Sequence, residues 1–297
     1  MSYQKPDRAF LNYHAYRWGR LNQIFRGPQP DLTQPYIACI GAAQTFGRYV
    51  PRPFPTLLAS DLDIQVVNFG TGGAGPGFFL RDSMVLEALH NAKLVVVQAM
   101  SARSISNRLY KVNARRNARL KAISTALQDL FPTVDLGNFT FTHNMLNKMA
   151  ANNPDCFAEV EAELKAAWVA RTRQLLQTIQ APTVFFWFSE RAPEDDKKHR
   201  EDHAMLKFPH FVDREMVRAV QDYASGYVEC VCDAGMPQPL LIDGSPVLHA
   251  PNGEPVVENK YYPSPEMHEE AAKAVAPVIR SLLGRGATES EPNVVGF

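Results

Sequence analysis

The stretch Ile37-Ala38-Cys39-Ile40-Gly41-Ala42-Ala43-Gln44-Thr45-Phe46-Gly47 decides how this chain folds. Residues 37 to 40 are apolar without alternation, the pattern of a parallel strand covered on both faces. Gly41 then opens a turn in which the backbone can bend sharply. Ala42 and Ala43, at that turn, carry no oxygen able to attack an ester or accept a proton. The segment therefore marks a strand end and a site position, without a nucleophile in it.

Working outward, four more short apolar or β-branched runs resemble the first: Ile64 to Asn68, Lys93 to Gln98, Thr183 to Phe188 and Tyr227 to Val231. With Tyr36 to Ile40 and the helical patterns between them, they predict an α/β fold: a three-layer, flavodoxin-like sandwich around a five-stranded parallel sheet. In such a sheet the ligand crevice lies beyond the carboxyl ends of the strands, where the motifs below fall.

Residues 1 to 35, with Pro28, Pro30 and Pro35 and no clear period, read as an extension wrapped on the domain, which spans residues 36 to 286. Between the third and fourth strands lie roughly eighty residues, where a crossover needs a dozen or so, so 104 to 181 is a helical insertion. Its expected helices are Lys111 to Leu130 and Pro154 to Gln180, the second opened by Asn153-Pro154 and striped by Val160, Leu164, Trp168 and Leu175. Asp243-Gly244 and Asn252-Gly253 read as turns, making 239 to 257 a pair of short strands or an ordered loop. A final helix is expected from Ser264-Pro265 to Leu283, stopped by Gly284-Arg285-Gly286, with 287 to 297 a flexible tail.

The chain has 297 residues, 45% of them hydrophobic, enough for one large buried core. Lys plus Arg and Asp plus Glu number 31 each, so no global field favours nucleic acid or an anionic membrane, and charge-driven binding must be local. Met1 to Pro6 lacks the apolar core of a signal peptide, and no apolar run is long enough to span a bilayer; the expected location is the cytoplasm. The four cysteines, Cys39, Cys156, Cys230 and Cys232, are too few for a disulfide framework and read as reduced core thiols.

Three further segments can carry chemistry. Asn68-Phe69-Gly70-Thr71-Gly72-Gly73-Ala74-Gly75 follows the second strand and can form a nest of backbone N–H groups; no Gly-Lys-Ser/Thr follows it, which excludes a P-loop. Gln98-Ala99-Met100-Ser101-Ala102-Arg103 follows the third. Glu258-Asn259-Lys260-Tyr261-Tyr262-Pro263-Ser264 precedes the final helix.

In order, these blocks resemble those of the SGNH (GDSL-type) hydrolases, and the chain is also similar to an uncharacterised group of proteobacterial proteins with the same framework. The resemblance rests on the glycine, threonine and proline positions. It implies that Ala42 and Ala43 stand in the aspartate and nucleophilic serine slots and that Gly73 occupies the oxyanion-hole glycine position. It further implies that Ser101 replaces the oxyanion-binding asparagine, and that Asn259 and Tyr262 replace the aspartate and histidine of the last block. Asparagine brings no charge to an imidazolium, and tyrosine is a weak base at neutral pH, so the triad is degenerate, as in a pseudoenzyme.

Other groups offer substitutes. Thr45 carries a hydroxyl, though at a position the resemblance treats as scaffold. Asn107 can replace Ser101 in space, and Ser101, Ser104 or Ser106 can equally cap the insertion. His268 is the nearest spare histidine, with a helix-surface role as its other reading. His210 and Asp213 are spaced to touch in a local turn. His199 and His203, spaced i,i+4, sit in a charged loop that reads as solvated, so no metal and no cofactor is expected. From Lys93 to Lys121 there is no acidic residue, while Arg103, Arg108, Lys111, Arg115, Arg116, Arg119 and Lys121 accumulate. They either surround the crevice mouth, suited to phosphate, sulfate or carboxylate, or form a basic face paired with acidic residues elsewhere.

The leading expectation is a protein that binds a small polar ligand, anionic or carbohydrate-like, at Thr45, Gly73, Ser101, Arg103, Asn107, Arg108 and Tyr262 without serine-ester hydrolysis. The alternatives are a rewired acyl- or glycan-modifying hydrolase or transferase with Tyr262, His268, Ser101 or Arg103 in new roles, and an assembly protein whose helical insertion binds a partner.

Overall fold

A computed structural model of the chain describes residues 5 to 194 and 207 to 288. Five parallel strands form the central sheet: β1 (Tyr36–Ile40), β2 (Gln65–Asn68), β3 (Leu94–Gln98), β4 (Thr183–Ser189) and β5 (Gly226–Val231). Their spatial order is β2-β1-β3-β4-β5. The direction of winding reverses between β1 and β3, which sets the switch point of a flavodoxin-like sheet there. The three-layer α/β architecture is as expected from the sequence, with strand bounds shifted by one residue at most.

Every residue of β1, β3 and β4 is buried, so alternate side chains supply two cores. On one face Ala38, Ile40, Val95, Val97, Phe185 and Trp187 pack under α2 (Ser83–Asn91), α3 (Pro154–Thr178) and α4 (Arg214–Gln221). On the other, Ile37, Cys39, Leu94, Val96, Val184 and Phe186 meet α1 (Phe54–Leu62) and α5 (Pro265–Thr288). The predicted stripe of α3 is buried, and its Trp168 donates Nε1–H to Met100 O at 2.6 Å, tying the crossover helix to the loop after β3. All four cysteines are free. Among the described residues no helix is long and apolar enough to cross a membrane.

The insertion differs from its expected form. Residues 111 to 123 are not helical: Tyr110–Val112 pairs antiparallel with Leu120–Ile123, and only Thr125–Leu130 is a helix, capped by Ser124. Asn113 is the cause, because its Oδ1 accepts from the N–H groups of Arg115 and Arg116 at 3.0 and 3.2 Å and turns the chain back. A further helix, Thr142–Asn152, precedes α3. Residues 238 to 259 form three two-residue antiparallel pairs. The final helix runs through Gly284-Arg285-Gly286 to Thr288; a glycine inside a helix costs only about 1 kcal/mol and does not by itself stop one. Residues 289 to 297 of the expected tail, together with His199 and His203, lie outside the described residues.

Residues 5 to 35 are built into the domain. Tyr16–Trp18 and Gln23–Phe25 form a strand pair, after which Arg26, 7% exposed, donates to four carbonyl oxygens: Phe46 and Gly47 (3.2 and 2.7 Å), Val50 and Pro51 (both 2.8 Å). Asp82 caps α2 through Met84 N while also accepting from Arg20 N and Leu21 N. The guanidinium of Arg26 thus closes the chain that follows the β1 turn. Replacing Arg26 by Met strands buried carbonyls, and urea unfolding should show a loss of roughly 3 to 5 kcal/mol, whereas Arg17→Met, at an exposed position, should change stability by less than about 0.5 kcal/mol.

Candidate functional site

The turn after β1 is shaped by one amide. Gln98, at the end of β3, accepts through Oε1 from Ala42 N (3.1 Å) and from the Thr45 hydroxyl (2.7 Å). A Cβ on Gly41 would collide with both Gln98 and Thr45, so the approach requires glycine. Asn68, at the end of β2, donates to Thr45 O and accepts from Gly70 N, both at 2.9 Å. Thr45 is therefore fully buried scaffold and not a ligand-facing group.

Beyond these strand ends opens a crevice of about 610 Å³. It brings together Ala42, Ala43, Gly73, Ser101, Arg103 and Tyr262. Gly73 has φ +76°, and a Cβ there would come within 2.9 Å of Ala118, so the tip of the insertion hairpin lies against the glycine turn. Asn107 and Arg108 are not part of the crevice lining. Asn107 Oδ1 accepts from Leu109 N and Tyr110 N, a turn-forming role, and Arg108 is paired with Glu163 of α3 at 3.2 Å. Asn107 thus does not replace Ser101 in the crevice, and for Arg108 the reading as a basic face paired with the second insertion helix is the one that fits.

Ser101 meets a histidine 109 residues away: its Oγ lies 2.7 Å from His210 Nδ1 and accepts from His210 N at 3.2 Å. His210 does not touch Asp213 as the local spacing suggested. Asp213 instead caps α4 through Met216 N (3.0 Å) and pairs with Lys165 (2.8 Å). Arg191 holds the loop around His210 by donating to Pro209 O and Val212 O. The other imidazole nitrogen, Nε2, faces Tyr261 OH at 3.4 Å, and that hydroxyl accepts from Arg103 at 3.3 Å.

Among the described residues no carboxylate contacts His210. Burial, and then the charges of Arg103 and Arg191, hold its pKa well below the usual histidine range. The imidazole is a neutral hydrogen-bonding partner of Ser101. Among the described residues no counter-charge of the kind that stabilises an imidazolium during acyl transfer stands beside it.

The last block is also structural. Asn259 Oδ1 accepts from Tyr261 N and Tyr262 N while its Nδ2 donates to Tyr262 O and Gln238 Oε1, fixing the turn that presents both tyrosines to the crevice. Tyr262 OH accepts from Arg48, which is itself paired with Asp7 at 2.8 Å. His268, expected at a helix surface or in a rebuilt triad, is fully buried in the core on the far face of the sheet, where Nδ1 accepts from Phe54 N at 3.0 Å and the ring stacks on Phe54. It is a core histidine because α5 turns this face toward α1.

The charged residues of the lining are all arginines. Arg17, from the N-terminal strand pair, joins Arg103 and the hairpin residues Arg115, Arg116 and Arg119, with His143 beside them. No carboxylate lines the crevice among the described residues. Arg119 lies over the Phe141 ring at 5.1 Å. The basic run from Lys93 to Lys121 carried the signal for the hairpin arginines. Arg17, His143 and the Ser101–His210 contact had none, since each depends on tertiary approach.

The chain belongs to the family described as Domain of unknown function (DUF6473), whose model matches residues 1–283. A search of the curated proteins finds no match. Among solved structures, the chain is similar to a family two carbohydrate esterase from Cellvibrio japonicus at 14% identity and TM-score 0.39, covering 87% of this chain and 64% of that one. It is similar to a family two carbohydrate esterase from Clostridium thermocellum at 10% identity and TM-score 0.39, covering 88% and 68%. A catalytic mutant of an acetylxylan esterase from Geobacillus stearothermophilus gives 13% identity and TM-score 0.39, covering 84% and 94%. Strand order and two-faced packing, rather than these likenesses, define the fold.

The buried histidines set a pH dependence. Burial, and next the charge of Arg26, depress His268 to about 3, against 6.5 for a free histidine. Below pH 6.5 the unfolded chain takes up protons that the native His268 and His210 refuse, so stability is complete at pH 7 and above and falls on acidification. Each group adds a slope approaching ~1.4 kcal/mol per pH unit. Unfolding free energies measured from pH 8 to pH 4 should fall below 6.5, and His268→Gln should remove about one proton from that slope; a slope unchanged by the substitution would contradict the assignment.

Proposed function

We propose that the crevice binds a small anionic ligand through arginine and does not hydrolyse serine esters. The observation that carries this reading is the lining itself: Arg17, Arg103, Arg115, Arg116 and Arg119 converge on one opening with no acidic residue among the described lining residues, in a chain whose formal net charge is zero. A guanidinium offers fixed charge and a planar fork suited to phosphate, sulfate or carboxylate. Each charged hydrogen bond formed there contributes roughly 1.5 to 3 kcal/mol. The free cysteines fit a reducing compartment, and we place the protein in the cytoplasm.

A rewired enzyme is the second reading, favoured by the 2.7 Å contact between Ser101 and His210. It is the weaker one, because the slot after β1 holds alanine and His210 has arginines rather than a carboxylate for neighbours. Two measurements separate the readings. Phosphate, sulfate or a simple carboxylate should raise the melting temperature of the wild type, and Arg103→Ala should weaken that binding about tenfold, equivalent to ~1.4 kcal/mol. A fluorophosphonate probe should leave every serine unlabelled, and aryl esters should turn over no faster than in buffer. Covalent labelling at Ser101 would overturn the binding reading in favour of the enzyme.

A further inference from the structure

The arginines of the crevice come from three separate parts of the fold. Arg103 sits at the turn that follows β3 and reaches Tyr261 OH. Arg17 belongs to the strand pair of the N-terminal extension. Arg115, Arg116 and Arg119 all come from the tip of the insertion hairpin.

That tip is a formed structure. Asn113 Oδ1 accepts from Arg115 N and Arg116 N, Asn113 N donates to Arg119 O at 2.8 Å, and Arg119 N donates to Arg116 O at 2.7 Å. Ala118 abuts Gly73, so the tip lies over the glycine turn. Three guanidiniums are thus held together on one short loop, facing the same opening as Arg103.

Five arginines line this one opening, and no carboxylate lines it among the described residues. A single anionic group at Arg103 leaves the hairpin cations uncompensated. A ligand that engages both Arg103 and the hairpin arginines carries at least two anionic groups, and about 610 Å³ is the size of a small-molecule pocket rather than of a polymer groove.

Resting on the anion-binding reading above, we infer that the crevice selects a compact, multiply anionic small molecule carrying two or more phosphate or sulfate groups. One group is held at Arg103 and another by Arg115, Arg116 and Arg119 of the hairpin. The hairpin is then the element that distinguishes a polyanion from a monoanion.

The test compares inorganic phosphate, tripolyphosphate and long-chain polyphosphate by calorimetry at constant ionic strength. It uses the wild-type full chain, Arg103→Ala, the triple variant R115A/R116A/R119A, and the double variant R115A/R116A, which keeps the Arg119–Phe141 contact should the triple variant fold poorly. Wild type should bind tripolyphosphate at least tenfold more tightly than phosphate. The hairpin variants should lose most of that advantage, weakening tripolyphosphate at least about fivefold more than phosphate, and Arg103→Ala should weaken both ligands. If phosphate binds and tripolyphosphate gains nothing, or if the hairpin variants weaken both in equal proportion, this inference falls and the anion site stands. Binding of long-chain polyphosphate alone would overturn the compact-ligand claim, and binding of none of the three would overturn both proposals.

Discussion

A parallel sheet covered on both faces leaves its strands no room for polar side chains except at their ends. In this chain β1 and β3 have every residue buried, so the chemistry is pushed to the points where they stop. There the Gln98 amide ties the end of β3 to the turn after β1 by accepting from Ala42 N and Thr45 Oγ1. The close approach demands Gly41, and the resulting turn presents Ala42 and Ala43 to the crevice. So specific a set of contacts here frames two methyl groups.

The distribution of arginine partners divides the molecule into two electrostatic regions. Arg26 and Arg191 are buried and satisfied by carbonyl oxygens, Arg48 by Asp7 and Tyr262, and Arg214 by Glu194 and Glu229. These are internal fastenings. The crevice arginines share one opening, and the charge of Arg103 reaches inward to His210, which it helps to keep neutral. The same positive charge that suits an anion therefore works against an imidazole acting as a proton acceptor. Binding and serine-type catalysis make opposing demands on this site.

The five strands were legible because short apolar or β-branched-rich runs, separated by helical patterns, have few other uses. The long helix α3 was legible from Asn153-Pro154 and its four-residue stripe. The hairpin of the insertion was misread as helix, since its basic residues mask a two-residue period that survives only at Tyr110, Lys111 and Val112, buried, exposed and buried in turn. Of the candidate residues, those fixed by short spacing were placed well enough to find the crevice. His268 was misjudged because its burial depends on which face α5 turns to α1. The meeting of Ser101 with His210 was beyond the sequence, as 109 residues separate them and only the packing of α4's leading loop on the end of β3 brings them into contact.

The N-terminal segment alters what counts as the domain. The sheet begins at Tyr36, and a boundary drawn there would look natural on topology alone. Yet Arg26 closes the carbonyls of residues 46 to 51, Tyr13 and Asp7 brace Arg48 and Tyr49, and Arg17 supplies one wall of the crevice. A protein trimmed to its sheet would lose Phe25 and Trp18 from the core that meets Phe69, together with part of the crevice lining. The smallest cooperative unit here is consequently larger than the smallest recognisable fold, and any transplant or truncation of this domain has to carry its leading thirty residues along.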